Sequence, residues 1–383
     1  MSGGARADPR RLLRLPPDVE PYPAEPSDEE LAEELGLPAE RVVRFDMNTL
    51  GGGPLPGVVA ALAAYPAGRV VEYGDQAYRA LRAAVSTATG APGLRVIPGA
   101  GADELIRLVT TAAVGQGDRV VIPTPTFPMF EVEARLAGAT VRSVPRREPA
   151  TRQAVDEILD AARGSGARLV WLCSPNNPTG DRFPADEIAA LAGELQIMGT
   201  LLVVDAVYQE LAEASEGLGP EALSLLQLQD RHANLVILRS LAKAYGLAGA
   251  RVGYLVVPLQ LAATFDAARL PLSVSGPSEA AALGALSDPA AARERHASIV
   301  AERGRIAGEL AGRGWEALPS VTNFVLLRPP RTGATAAELG EALLARGLVV
   351  RTYPGGPLRD WLRITARAAV ENDRLLAALD ELD

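Results

Sequence analysis

Lys243 stands in the stretch of this chain best equipped for chemistry. Residues 240–254 place it among three glycines, Gly246, Gly249 and Gly253, with a hydroxyl at Ser240 and a guanidinium at Arg251. The stretch follows an apolar run, 235–238, that reads as a strand. A lysine at the end of a buried strand loses solvation, so its pKa falls and its amine becomes a nucleophile for a carbonyl carbon. Ser240 and Arg251 supply donors suited to a phosphate. The plain alternative is a solvated lysine in a glycine-rich loop, and the hydroxyl and guanidinium beside it weigh against that.

Three other segments end strands in the same way. Asp205 closes the apolar run 201–204, with Tyr208 three residues on. A carboxylate in that position is costly unless it meets a cation or donors, and a protonated pyridine nitrogen is such a cation. Capping of the next helix is its bland alternative. Residues 173–180 follow the run 169–172 with two prolines and Gly180, a rigid turn able to aim the amides of Asn176 or Asn177. Residues 98–104, with Gly99, Gly101, Ala102 and Asp103, lie between a strand and a helix, where exposed backbone N–H groups suit an anion. As a dinucleotide fingerprint this last segment lacks the third glycine, which argues against a nicotinamide oxidoreductase.

The elements that must position these residues alternate. Strands are expected at 95–97, 119–122, 140–144, 168–173, 201–204, 235–238 and 252–257, with helical segments between them. Continuous apolar runs are the mark of strands buried on both faces, so the order implies a doubly wound α/β sheet with ligands at the carboxyl ends of its strands. Ser27, followed three residues later by Glu30, opens a helix that Gly36 stops. After a hinge candidate at 271–277 come a long helix, strands at 322–327, 348–351 and 362–365, and helices near 336–346 and at the end. The expected organisation is an N-terminal arm and helix (1–44), a large domain (45–270) and a small α+β domain (271–383) that the arm joins.

With 383 residues, the chain is long enough for two cores. A net charge of −9 argues against nucleic acid or an anionic membrane as partner. Cys173 is the single cysteine and sits in an apolar run, so a buried thiol is expected and an internal disulfide excluded. His232 and His296 stand in no ligand cluster, so no metal site is expected. The first residues lack the apolar core of a secretory signal, and no run approaches the roughly 20 apolar residues of a membrane span. A cytoplasmic protein is the expectation.

Taken together, these segments resemble the pyridoxal-5′-phosphate aminotransferases of the aspartate-aminotransferase-like fold, most nearly the histidinol-phosphate aminotransferase branch. The resemblance runs from about Pro21 to the end and includes 123–127, 174–180, 205–208, 240–254, 322–324 and 362–365. It implies a large domain with a mostly parallel seven-stranded sheet and a smaller α+β domain. It implies that Lys243 binds the cofactor aldehyde covalently, that Asp205 pairs with the pyridine nitrogen and that Asn177 and Tyr208 hydrogen-bond the ring hydroxyl. Phe127 would stack on the ring. Ser240, Arg251, Gly101 and the backbone of Ala102 and Asp103 would hold the phosphate. Tyr73 would reach the phosphate of a neighbouring subunit, implying a homodimer with shared sites. Arg363 is the implied clamp for a substrate carboxylate, with Arg351 beside it and Tyr22 as a cover. The chain departs from the branch at 48–53 and 73–75, where substrate and subunit contacts are expected, and in Ala206 and Val207 after the aspartate.

The implied activity is transfer of an amino group between an amino acid or amino phosphate and a 2-keto acid. A competing reading is decarboxylation of a phosphorylated amino acid on the same scaffold, which residues 45–48 also resemble. A transcription regulator of this fold would carry a DNA-binding domain, and the acidic segment before Phe45 shows no helix-turn-helix pattern.

Overall fold

A computed structural model describes residues 25–217 and 225–382. The opening helix, Asp28–Leu35, starts where the capping pattern places it. Ser27 accepts from the Glu30 N–H, the Glu30 side chain accepts from the Ser27 N–H, and Gly36 ends the helix at φ 64°.

Twelve strands follow: β1 (Val43–Arg44), β2 (Val96–Gly99), β3 (Arg119–Thr124), β4 (Thr140–Pro145), β5 (Leu169–Cys173), β6 (Leu201–Asp205), β7 (Leu235–Ser240), β8 (Gly253–Val256), β9 (Glu316–Ala317), β10 (Phe324–Arg328), β11 (Leu348–Val349) and β12 (Leu362–Thr365). Seven of them form one sheet in the order β2-β8-β7-β6-β5-β3-β4, parallel except for β8, which runs against both neighbours. Successive residues of its central strands enter different cores. Leu202, Val204, Leu235 and Ile237 belong to one, and Val203, Val236 and Leu238 to the other. Helices cover both faces, so both residue sets are apolar and the alternation seen in half-exposed strands is absent.

Register brings the chemical residues to one edge. Cys173 pairs with Asp205, and Asp205 with Leu238. Because β8 is reversed, its first residue, Gly253, lies between Gly99 at the end of β2 and Ser240 at the end of β7. The helix that follows β2, Gly101–Ala113, therefore begins beside Ser240.

The second body is the antiparallel sheet β12-β10-β9 with the parallel pair β1-β11. The N-terminal strand joins it: the Phe45 N–H donates to the Val349 carbonyl at 2.7 Å, and Phe45 packs with Trp315, Leu339 and Leu362. The strand expected from 322 begins at Phe324, because the Thr322 hydroxyl accepts from the Phe324 N–H and folds the chain locally. We propose that the division between the two bodies lies inside the long helix Pro289–Gly312 instead of at 271. Val274, Ala281, Ala282, Ala285 and Ala292 pack in a core of the large sheet, whereas Ile306 and Leu310 pack in that of the small one. No helix among the described residues is long and apolar enough to cross a membrane.

Candidate active site

Lys243 sits on a one-turn helix, Leu241–Ala244, whose cap is Ser240: the Ser240 hydroxyl accepts from the Ala242 N–H at 3.1 Å. Gly246, at φ 69°, turns the chain back, and the Leu247 N–H closes on the Leu241 carbonyl. The half-buried amine donates to the Met47 carbonyl at 3.2 Å. Burial and the nearby guanidinium groups of Arg363 and Arg251 lower its pKa to about 8.

Two strands end beside it. Asp205 is 3% exposed and accepts from the Val207 N–H at 3.2 Å. Burial, and secondarily the charge of Asp103, push its carboxyl up to about 7. It forms no ion pair among the described residues and does not cap the following helix, Gln209–Glu216, which begins after Tyr208. Tyr208 is buried, and its hydroxyl accepts from Asn48 Nδ2 at 2.9 Å. Asn48 escaped the sequence reading. It is buried with a left-handed backbone (φ 53°), its N–H donates to the Thr365 hydroxyl, and its carbonyl accepts from Asn323 Nδ2. The 48–53 loop is thus fastened to the small sheet at the point where it meets Tyr208. The only local signal was an asparagine in a glycine-rich loop, a residue that tolerates left-handed backbone.

An anion cradle lies across the amine. Gly101, at φ 85°, has no room for a side chain: a Cβ there would stand 2.7 Å from Arg251 Nη2. Arg251 meets the Asp103 carboxylate at 2.8 Å, with both side chains about half exposed (48% each). Ala102 and Asp103, in the first turn of the helix that opens at Gly101, line one space with Ser240 and Arg251, where the free N–H groups of a helix start suit an anion.

The opposite wall carries Asn177 and Arg363. In the Asn-Asn pair the roles divide: Asn176 holds the turn through the Pro125 carbonyl and the Thr179 hydroxyl, and Asn177 Oδ1 accepts from Arg363 Nη1 at 2.6 Å. Arg363 also donates to the Asp46 carbonyl, lies over the Phe324 ring and keeps Nε buried without a partner among the described residues. Phe127 borders the space from an edge-on contact with Phe130. Arg351, joined to Arg363 by a backbone bridge, turns its guanidinium to Glu25. Cys173 is a buried thiol.

A cavity of about 600 Å³ receives Lys243, Asp205, Tyr208, Asn177, Phe127, Ser240, Arg251, Arg351 and Arg363. Tyr73 is not among its lining residues and is 91% exposed; Tyr22 lies outside the described residues. Among the described residues there is no metal-ligating cluster. The cavity can accept a flat cationic heterocycle bearing an anionic group, with a carbonyl within reach of a nucleophilic amine.

Comparison with known proteins bears on that chemistry. The family model for aminotransferase class I and II matches residues 40–382. A histidinol-phosphate aminotransferase of Roseiflexus castenholzii is 37% identical over 97% of this chain and 98% of its own length. One of Paramagnetospirillum magneticum is 34% identical over 89% and 92%. The crystal structure of histidinol-phosphate aminotransferase from Sinorhizobium meliloti in complex with pyridoxal-5′-phosphate superposes with a TM-score of 0.86 at 30% identity, covering 96% of this chain and 97% of that one.

Proposed function

The chain belongs to the aminotransferase class I and II family, and from that membership we propose that it uses pyridoxal phosphate, held on Lys243, to move an amino group between an amino acid or amino phosphate and a 2-keto acid. The observation that carries the reading is the pairing of a pKa-lowered amine at Lys243 with a buried carboxylate at Asp205 that lacks an ionic partner among the described residues, both facing one cavity. The residues fit this cofactor on their own geometry. Gly101, lacking a Cβ, lets the Arg251 guanidinium pack against the start of the helix, where a phosphate would meet it, and the buried Asp205 carboxylate suits a cation.

When bound, the cofactor supplies an electron sink for the charge that develops at the substrate Cα. Asp205 would hold its charge for the ring nitrogen. Tyr208 and Asn177 would serve the ring oxygen, Phe127 the ring face, and Ser240, Arg251 and the helix start at Gly101, Ala102 and Asp103 the phosphate. The Lys243 amine would accept the Cα proton and return it elsewhere as general base and acid. Arg363 would bind the substrate carboxylate, a group that a guanidinium can hold bidentately.

Tyr73 stands with Val70 (68% exposed) and Val71 (87% exposed) on an apolar surface segment, which supports a homodimer in which Tyr73 completes the neighbour's site. The reading is of a cytoplasmic enzyme of amino acid biosynthesis.

Absorbance spectra before and after adding glutamate, aromatic amino acids and histidinol phosphate test the reaction. A visible cofactor band that one donor converts to the amine form is the expected result. Carbon dioxide release without keto acid would replace transamination by decarboxylation, and no band after adding pyridoxal phosphate would sink the reading. A narrower test addresses the cradle. Gly101→Ala is expected to weaken cofactor affinity about tenfold or more, since left-handed alanine costs about 1–2 kcal/mol and its Cβ displaces the Arg251 guanidinium. Fluorescence titration with pyridoxal phosphate measures it.

A further inference from the structure

Three guanidinium groups and three carboxylates cluster beside the cavity, four of them (Glu25, Asp46, Arg351 and Arg363) in its lining. Arg44 is held by Asp46 (2.8 Å), Glu25 (3.1 Å) and Asp28 (3.5 Å). The other oxygen of Glu25 reaches Arg351 at 2.5 Å, and the Glu25 side chain is only 19% exposed. Arg363 is the member without a carboxylate partner among the described residues, its contacts going to Asn177 and the Asp46 carbonyl. Arg363 is thus the one guanidinium of the three that makes no ion pair among the described residues, and it is the group placed to meet an incoming anion.

We infer that Glu25 is a specificity-determining residue: by occupying Arg351 it tunes the pocket to substrates with a single anionic group and sets a barrier against a second one, whether carboxylate or phosphate. The inference rests on the aminotransferase reading for the role of Arg363. A 2-amino acid with a neutral side chain needs Arg363 alone. Tyr353 also lines the cavity, its hydroxyl buried without a hydrogen-bond partner among the described residues, a neutral group suited to an aromatic or polar uncharged side chain. A dicarboxylate or a phosphate monoester seeks Arg351 as well, and reaches it only when Glu25 withdraws towards Arg44. Two anions competing for one guanidinium repel each other, and the incoming one must also break a partly buried pair.

The test uses the cofactor-loaded protein and two unreactive probes, 3-phenylpropionate with one carboxylate and glutarate with two, titrated by calorimetry into wild type, Glu25→Gln and Glu25→Gln/Arg351→Gln. Glu25→Gln is expected to tighten glutarate binding about tenfold relative to 3-phenylpropionate, the worth of one charge-assisted contact freed of its competitor. The gain disappears in the double variant, because its source is Arg351. An unchanged ratio, an equal loss for both probes or a gain that survives the double variant each overturns the inference. Half-reactions with phenylalanine and glutamate separate the two levels. Failure of both donors while the calorimetric ratio shifts would sink the aminotransferase reading and leave the charge filter standing. Turnover with an unmoved ratio would do the reverse.

Discussion

Lys243→Ala is expected to lower transamination by about four orders of magnitude and to abolish covalent retention of the cofactor, while the protein still folds. The amine has two tasks, and alanine performs neither. It attacks the cofactor aldehyde, which requires the neutral form, and its pKa of about 8 keeps a useful fraction neutral at physiological pH. It also carries the Cα proton, which requires that it stay in the cavity after the substrate amine has displaced it. Its one hydrogen bond among the described residues, to the Met47 carbonyl, leaves it free to swing. Lys243→Arg keeps the positive charge but not the chemistry, because a guanidinium does not deprotonate in this pH range. The rate of cofactor capture by the wild type should rise with pH up to about 8 and level off above it, since the deprotonated amine is the reactive species. Stopped-flow absorbance reports capture and half-reaction separately, and Lys243→Ala turnover within tenfold of wild type would remove Lys243 from the mechanism.

Lys243 was legible because its signal is local: a lysine, a hydroxyl, a guanidinium and three glycines fall within fifteen residues of a strand end. Asp205 was legible for the same reason, being a charge at the end of an apolar run. The centres of β5, β6 and β7 were equally plain, since burial on both faces leaves no polar residue to interrupt them. Other parts of the site are made by contacts between distant segments, and no local pattern encodes those. Asn48 reaches Tyr208 across 160 positions and Thr365 across 317. Glu25 reaches Arg351 across 326. The reading paired Arg351 with a substrate, and the structure pairs it with the chain's own carboxylate. The hinge at 271–277 looked like a boundary because prolines and serines punctuate it, yet Ser275 there caps the helix Gly276–Leu286, which packs on the large sheet. Punctuation marks where an element ends and does not say which core the next one enters.

Asp205→Asn is expected to act in opposite directions on activity and on the stability of the cofactor-free protein. With cofactor, the variant should transaminate about two to four orders of magnitude more slowly, because removing one partner of a buried charge pair costs about 3–5 kcal/mol and an uncharged amide no longer favours a protonated ring nitrogen. Without cofactor, the carboxyl is a liability. Its pKa rises from an ordinary 3.8 to about 7 on burial, so the folded protein holds a proton that the unfolded chain has released. Stability therefore falls as pH rises between those values, and above about 7 the full penalty, on the order of 4 kcal/mol, applies. Below 3.8 both states are protonated and the group contributes nothing. Asparagine cannot ionise, so the cofactor-free variant should melt higher than the cofactor-free wild type at pH 8 and level with it at pH 4. The difference between the two curves isolates Asp205 from every other titrating group. Loading the wild type supplies the missing cation and should close the gap at pH 8. A difference that stays flat across the pH range would mean that Asp205 is already paired in the empty site, and the case for a ring cation beside it would fall.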